Sequence, residues 1–373
     1  GLSEVLERSE QLVLNTGLFN AANIVFKNWE GSTNRVHLHV KVEENWYLYP
    51  VPVFELADRN FNVWWVEQGR SLDRVNYGIE FTHLNLTGRR DRLNLRLNFG
   101  YTRNYRIRYA LPYINGKQTI GFFSEVSYSQ NKELNYLTRE NKQEFFRKEE
   151  EFVYERFRST AGLTVRPGYR TNHVFIIDFQ QNRIDKEVAT ELNPDFFLDQ
   201  RQQQRFFSFI YQYSFENRDV RFYPWAGNYF SFSLEKDGVG IFGDRNALTM
   251  HSRYDHHLPF SDRWSLALSL RGKLSLIRQQ QPYNDNRAIG FLGNTPRGFE
   301  YYIVDGLDMA LFKSSLHLAL FGTQVNFGKL MPIKAFRKMP IKLYLSLNND
   351  VGYANDPFVD DTNFLSNTLL WGG

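Results

Sequence analysis

Cysteine is absent from the 373 residues, which removes disulfides, thiolate nucleophiles and Cys-bound metals from the functions open to the chain. There is no run of 18 or more apolar residues, so the sequence holds no transmembrane helix. The basic stripe that nucleic acid needs is missing too, because the net charge of +4 is spread along the sequence. No signal peptide opens the chain: Gly1-Leu2-Ser3-Glu4 leads directly into an amphipathic segment, as expected of a mature form or a fragment. No Ser/His or Asp/His constellation with persuasive spacing points to catalysis. The expectation is a protein that is not an enzyme and takes no metal or cofactor.

Aromatic residues are in excess. Phe, Tyr and Trp make up 16% of the chain, yet hydrophobic residues total only 42% and mean hydropathy is −0.49. A transmembrane antiparallel β-barrel reconciles these values, since half of each strand faces lipid, half faces a wet lumen, and aromatic rings gather at the two interfaces.

The pattern supports that all-β class. In Trp264–Leu276, Trp264, Leu266, Leu268, Leu270, Leu274 and Leu276 share one parity, while Ser265, Ser269, Arg271, Lys273 and Ser275 share the other. A helix would spread those leucines all round, whereas a strand gives each set its own face. The same alternation sets Leu93, Leu95, Leu97 and Phe99 against Asn94, Arg96 and Asn98, and Phe207, Phe209, Tyr211, Tyr213 and Phe215 against Ser208, Gln212 and Ser214. Tight turns at Arg89-Arg90-Asp91, Pro167-Gly168, Tyr223-Pro224-Trp225 and Pro259–Asp262 interleave with long polar stretches at 131–151, 185–204 and 278–306. Short turns on one rim and long loops on the other are the outer-membrane arrangement. About 13 strands fit between Trp46 and Tyr353, and Leu369-Leu370-Trp371 starts a fourteenth. A barrel in lipid leaves no edge open, so closure at about 16 strands is expected to need residues beyond Gly373.

The first 45 residues read differently. Val5, Leu6, Leu12 and Val13 lie at helical spacing in Ser3–Asn15, with Ser3 as cap and Gly17 as terminator. Strand-like runs Ala21–Lys27 and Arg35–Val42 follow, joined at Glu30-Gly31-Ser32. The expected division is a small, soluble α+β unit over 1–45 and a barrel over 46–373.

Several stretches resemble one family. Thr16-Gly17-Leu18-Phe19-Asn20, after a helix and before two strands, resembles the second half of a POTRA domain. Pro296-Arg297-Gly298-Phe299-Glu300-Tyr301-Tyr302 resembles the Arg-Gly-Phe/Tyr loop motif of the BamA/TamA superfamily of outer-membrane-protein assembly factors. Asn349-Asp350-Val351-Gly352-Tyr353 resembles that family's next landmark, an aspartate on the strand after the motif hairpin, and Tyr49–Asp58 is similar to the Bacteroidetes branch. Eleven strands precede the motif, as in the family. The resemblance implies that the motif loop folds into the lumen, where Arg297 pairs with Asp350, Gly298 allows a tight turn and Phe299 packs on the wall. Parity agrees, because Leu343, Leu345 and Leu347 on the lipid face leave Tyr344, Ser346, Asn348 and Asp350 inward. One position departs from the family: His317 stands inward where a glutamate is common, leaving the arginine one acidic partner and a weaker or partly pH-sensitive lock.

Pro50 and Pro52 lie two apart, so both missing N–H groups face the same neighbour. That suits a weak first strand at the lateral seam the resemblance implies, or an irregular stretch before the barrel proper. Other signals carry less. Gly238–Gly243 fits G-x-G-x-x-G but has no helix after it. His251, His256 and His257 lack an acidic partner at ligand spacing, and Asp356, Asp360 and Asp361 lack EF-hand spacing and read as a solvated loop. The expected function is insertion of β-barrel proteins into the bacterial outer membrane. Its partners would be unfolded outer-membrane protein clients, the lipid bilayer and accessory lipoproteins, with no nucleic acid. The alternatives are a POTRA-barrel translocation pore of the two-partner-secretion type or a passive channel.

Overall fold

In the computed structural model the described residues are all except 1, 15–16, 31–34, 58–60, 68, 292, 329–330, 332–336 and 360. A helix, Leu2–Leu14, is followed by the antiparallel pair Phe19–Glu30 and Arg35–Glu44. Gly17 takes φ +73° after the helix, and its N–H donates to the Leu14 carbonyl at 2.9 Å, the left-handed termination glycine favours. The Ile24 N–H donates to Glu10 Oε1 at 2.6 Å, tying the pair to the helix. The turn at Gly31-Ser32 and the side chains of Ser3 and Leu12 lie outside the described residues.

The rest, among the described residues, is one antiparallel sheet of fourteen strands with two short two-stranded hairpins in its connections. We number the strands of the large sheet β1 Leu48–Leu56, β2 Val75–Leu84, β3 Arg92–Gly100, β4 Thr102–Leu111, β5 Ile120–Asn131, β6 Tyr154–Val165 and β7 Thr171–Ile184. The remainder are β8 Gln203–Glu216, β9 Gly227–Asp237, β10 Ala247–Pro259, β11 Trp264–Ser275, β12 Asp308–Asn326, β13 Lys338–Asn355 and β14 Leu369–Gly372. Each pairs with its sequence neighbours, and β1 and β14 form the two edges. Eleven strands precede the motif loop, as the sequence indicates. All but β14 run from 9 to 19 residues, and 9–11 suffice for a tilted strand to cross a bilayer.

The sheet is an amphiphile turned inside out. Phe209, Leu270, Leu345 and Leu347 are exposed, whereas Asp178, Ser208, Asp255, Ser265 and Asp350 are at most 3% exposed. In water this would be unstable, but in lipid it is the stable arrangement, because the bilayer takes the apolar face and the lumen the polar one. Near one rim Phe207 stacks on Phe242 at 5.9 Å, and Phe179 lies 4.9 Å from Phe207. Toward the other, His173, Tyr211, Tyr213 and Phe230 form a second aromatic band.

Long connections (57–74, 132–153, 185–202, 276–307, 356–368) occupy one rim and shorter ones the other. The long ones are more structured than their polar composition suggests. Stretch 131–151 folds as a hairpin, Glu133–Arg139 with Lys142–Arg147, whose turn residues Glu140 and Asn141 both have positive φ. Phe196 and Phe197 are fully buried beside Leu134, Val153, Ile184 and Val188. Asn141 donates from Nδ2 to the Ile303 carbonyl at 3.1 Å and accepts at Oδ1 from the Leu365 N–H at 2.8 Å. A hairpin following β5 meets a loop following β13 in this way, so the sheet curls round and its loops cap one mouth.

Candidate functional site

The motif loop starts at the end of β11 and turns back into the lumen against β11–β14. Three wall cations hold its backbone. Arg271 donates to the Gly293 carbonyl at 2.6 Å, Lys273 to the Arg287 and Gly306 carbonyls at 2.8 Å each, and Lys313 to the Thr295 carbonyl at 2.8 Å. A lumen-facing cation can do this because a loop that has left its ladder presents unpaired carbonyls.

Arg297 reaches the opposite way, from loop to wall. Its Nη1 donates to Asp350 Oδ1 at 2.8 Å and its own N–H to Asp350 Oδ2 at 2.9 Å, while Nη2 donates to Ser315 Oγ at 3.1 Å. Ser315 passes the bond on to Asn348 Oδ1 at 2.8 Å. Asp350 is fully buried, and Lys313 approaches its Oδ2 at 3.5 Å. One carboxylate therefore receives a guanidinium, a backbone amide and an ammonium, bonds stronger than neutral ones. Gly298 follows with φ +87°, where a side chain would be strained. Phe299 packs on the cluster of Ala288, Ile289, Val304, Met309, Ala354 and Leu370.

Two wall glycines make room for the loop. A Cβ at Gly352 would meet Pro296 Cγ at 3.1 Å, and one at Gly372 would lie 1.8 Å from the Arg297 carbonyl oxygen. The sequence motif names the arginine and the aspartate; Ser315, Lys313 and Gly372 are missed, although their inward parity on β12 and β14 was readable.

His317 is not in the Arg297 bond set. Its Nδ1 lies 2.7 Å from Ser346 Oγ and 3.0 Å from the Tyr223 hydroxyl. Tyr223 belongs to the 217–226 turn on the other rim. That turn folds inward along β11–β13, where the Ser265 hydroxyl donates to the Trp225 carbonyl at 2.8 Å, Tyr223 stacks on Tyr344 at 4.6 Å and Trp225 comes within 5.5 Å of the same ring. Tyr223 holds φ +61° to do so, a conformation that costs a non-glycine residue about 1 kcal/mol. Ser315 takes the second Arg297 nitrogen, and His317 lies in the aromatic contact with Tyr223 instead.

Pro50 and Pro52 lie on β1, which pairs only with β2 among the described residues. The Leu84 N–H donates to the Tyr47 carbonyl at 2.7 Å, and the Ala57 N–H to the Arg74 carbonyl at 2.9 Å. Both fall in the β1–β2 register, so odd-numbered residues of β1 exchange bonds with β2 and even-numbered ones face the free edge. The prolines remove two N–H groups from that edge and none from the β2 ladder.

The discounted signals stay apart from this site. His251 and His257 share the inward parity of Asp255 on β10, and His256 has the other, so the three do not converge. Gly238–Gly243 lies in the connection between β9 and β10, and Asp360 is outside the described residues.

Comparison with known proteins bears on the whole arrangement. The fold is similar to the crystal structure of BamA from Haemophilus ducreyi lacking POTRA domains 1–3, with TM-score 0.66 at 12% identity over 94% of this chain and 66% of that one. It is also similar to CdiB from Escherichia coli, with TM-score 0.53 at 11% identity over 94% of this chain and 60% of that one. The chain thus spans less than two thirds of the length of either structure. No curated protein matches it. The model of the Omp85 superfamily domain matches residues 85–305, more than half the chain; the chain belongs to the Omp85 superfamily of bacterial outer-membrane β-barrel proteins.

Proposed function

We propose that the chain inserts β-barrel clients into the outer membrane, offering the edge of β1 to incoming strands while the motif loop keeps the lumen closed. The observation that carries this reading is the donor-poor edge. A strand pairing there finds carbonyls at Pro50 and Pro52 but no N–H groups, so it forms an incomplete ladder that exchanges readily. Client capture then runs on backbone pairing, as in β-augmentation generally, without nucleotide or cofactor. The helix and strand pair over 1–45 read as the end of a periplasmic POTRA domain, on the rim of the short turns, where unfolded outer-membrane protein clients and accessory lipoproteins would meet it. Arg297 and Asp350 act as a positioning pair that holds the loop.

Export of a client through the lumen is the second reading, favoured by the likeness to CdiB in fold. Against it, the motif loop enters the lumen from one rim and the 217–226 turn folds in against β11–β13 from the other. Reconstitution in proteoliposomes with an unfolded client barrel tests the choice, with client folding followed by heat-modifiable gel mobility. Acceleration that falls several-fold in Pro50→Val/Pro52→Val supports insertion. No acceleration by the wild type, together with a large steady conductance in planar bilayers, overturns it in favour of a pore.

A further inference from the structure

Beneath the capping loops, remote from Arg297, lies a cavity of about 320 Å³ whose lining includes Asp195, Asp305 and Asp356 but no lysine or arginine. Buried carboxylates are ordinarily paired with a cation or bound to a metal. Arg287 and Lys273 lie near enough to Asp305 to attract its charge, but the hydrogen bonds they make go to other groups. Arg287 lies opposite Asp305 in the short hairpin of Arg287–Ile289 with Val304–Asp305, but its guanidinium stacks on Phe291 at 4.7 Å and donates to Asn284 Oδ1 at 3.2 Å. Lys273 spends its ammonium on two loop carbonyls.

A second, independent observation concerns the neutral groups. Gln281 and Ser366 are each 8% exposed, both line the cavity, and Gln281 Oε1 and Ser366 Oγ have no hydrogen-bond partner among the described residues. Asn286 joins them. Its Nδ2 donates to Asp356 Oδ2 at 2.9 Å, and its Oδ1 is left unpartnered. Every orphaned atom in the lining is an oxygen, two of them amide oxygens that can only accept and the third a hydroxyl that can accept as well as donate.

We propose that this cavity binds one calcium ion, held between Asp305 and Asp356, with the side-chain oxygens of Gln281, Asn286 and Ser366 and water completing its shell. Among the described residues no group of three His, Cys, Asp or Glu side chains is arranged to hold a metal ion, so an ion here would rest on two carboxylates with neutral oxygens and water. Calcium accepts carboxylate, amide and water oxygens in six- to eightfold shells of loose geometry, whereas magnesium demands a tight octahedron. Asp195, exposed at the cavity's edge, supplies charge at the entrance. The ligands come from two loops: Gln281, Asn286 and Asp305 from the motif loop, Asp356 and Ser366 from the connection after β13. Bound calcium would fasten the motif loop to the outer end of the strand that carries Asp350. The inference is independent of whether the barrel inserts or exports clients.

The test uses the folded chain in detergent after removal of divalent ions with EDTA. Calorimetric titration with calcium chloride should show one site, with Kd on the order of 10⁻⁴ to 10⁻³ M, as in extracellular modules. Asp305→Asn and Asp356→Asn, checked for folding by heat-modifiable mobility, should each weaken binding roughly tenfold or more, and Asp361→Asn, outside the cavity, should leave it unchanged. Hydrogen exchange on the wild type locates the ion even if those variants fail to fold, since calcium should slow exchange in 276–307 and 356–368. Absence of binding at 10 mM calcium (about ten times the weakest expected Kd), protection confined to other regions, or binding retained in both folded variants overturns the proposal.

Discussion

Asp350 accepts from the Arg297 N–H and guanidinium and lies 3.5 Å from the Lys313 ammonium, with no exposed surface of its own. Removing the guanidinium in Arg297→Ala leaves that carboxylate one amide and one distant ammonium. Loss of a hydrogen bond to a buried charge costs about 1–3 kcal/mol, so the urea midpoint of the folded barrel should fall accordingly, and the motif loop should become accessible to protease. Reversal by Arg297→Asp should cost more, because two carboxylates then face each other. Restoring the pair with Asp350→Arg should recover only part of the loss, since the new guanidinium lies beside Lys313. Adding Lys313→Glu should recover more. Equal stability in the double and triple variants would remove Lys313 from the lock. The Arg297–Asp350 pairing was legible through the resemblance of the motif, and parity on β13, set by three leucines, agreed with it by turning Asp350 inward. Ser315 and Lys313 were left unread because a motif names residues along the chain, and these reach the arginine only through the β12–β13 register.

Among the elements, β1 joins a regular ladder on one side to an impaired edge on the other. Pro50→Val and Pro52→Val restore N–H groups at the edge without touching any bond to β2, so exchange protection of the odd-numbered β1 amides should stay unchanged. An effect on those amides would mean that the prolines act through strand geometry instead. The wall was readable from the sequence, strand by strand, because a period of two survives wherever one face meets lipid. The cap was not. Its hairpin over Glu133–Arg147 is short, its turn uses Glu140-Asn141 where Asn-Gly is the usual signal, and the burial of Phe196 and Phe197 depends on partners more than 40 residues away such as Leu134 and Val153. The buried Arg74–Glu133 ion pair, at 2.6 Å, joins the first outer connection to that hairpin and carries no local signature either.

For the molecule as a whole, inversion of the usual amphiphile predicts which substitutions matter. Leu345→Arg puts a charge into the middle of the lipid face and should cost about 2–4 kcal/mol of folding stability in liposomes. Ser346→Arg, one residue on, faces the lumen and should cost far less; equal costs would mean that the apolar face is not the lipid face. The 217–226 turn predicts a property of the lumen: Tyr223→Gly with Trp225→Ala removes the stack on Tyr344 and should raise single-channel conductance, whereas no change would place the barrier at the motif loop alone. The alternation has one more consequence. Because apolar residues along each strand are separated by polar ones, no stretch of the unfolded chain is oily enough to lodge in a membrane as a helix. The greasy exterior is therefore a property the chain acquires only by pairing its strands, so a membrane crossed before folding has nothing to retain and the one in which folding occurs has a complete belt to hold.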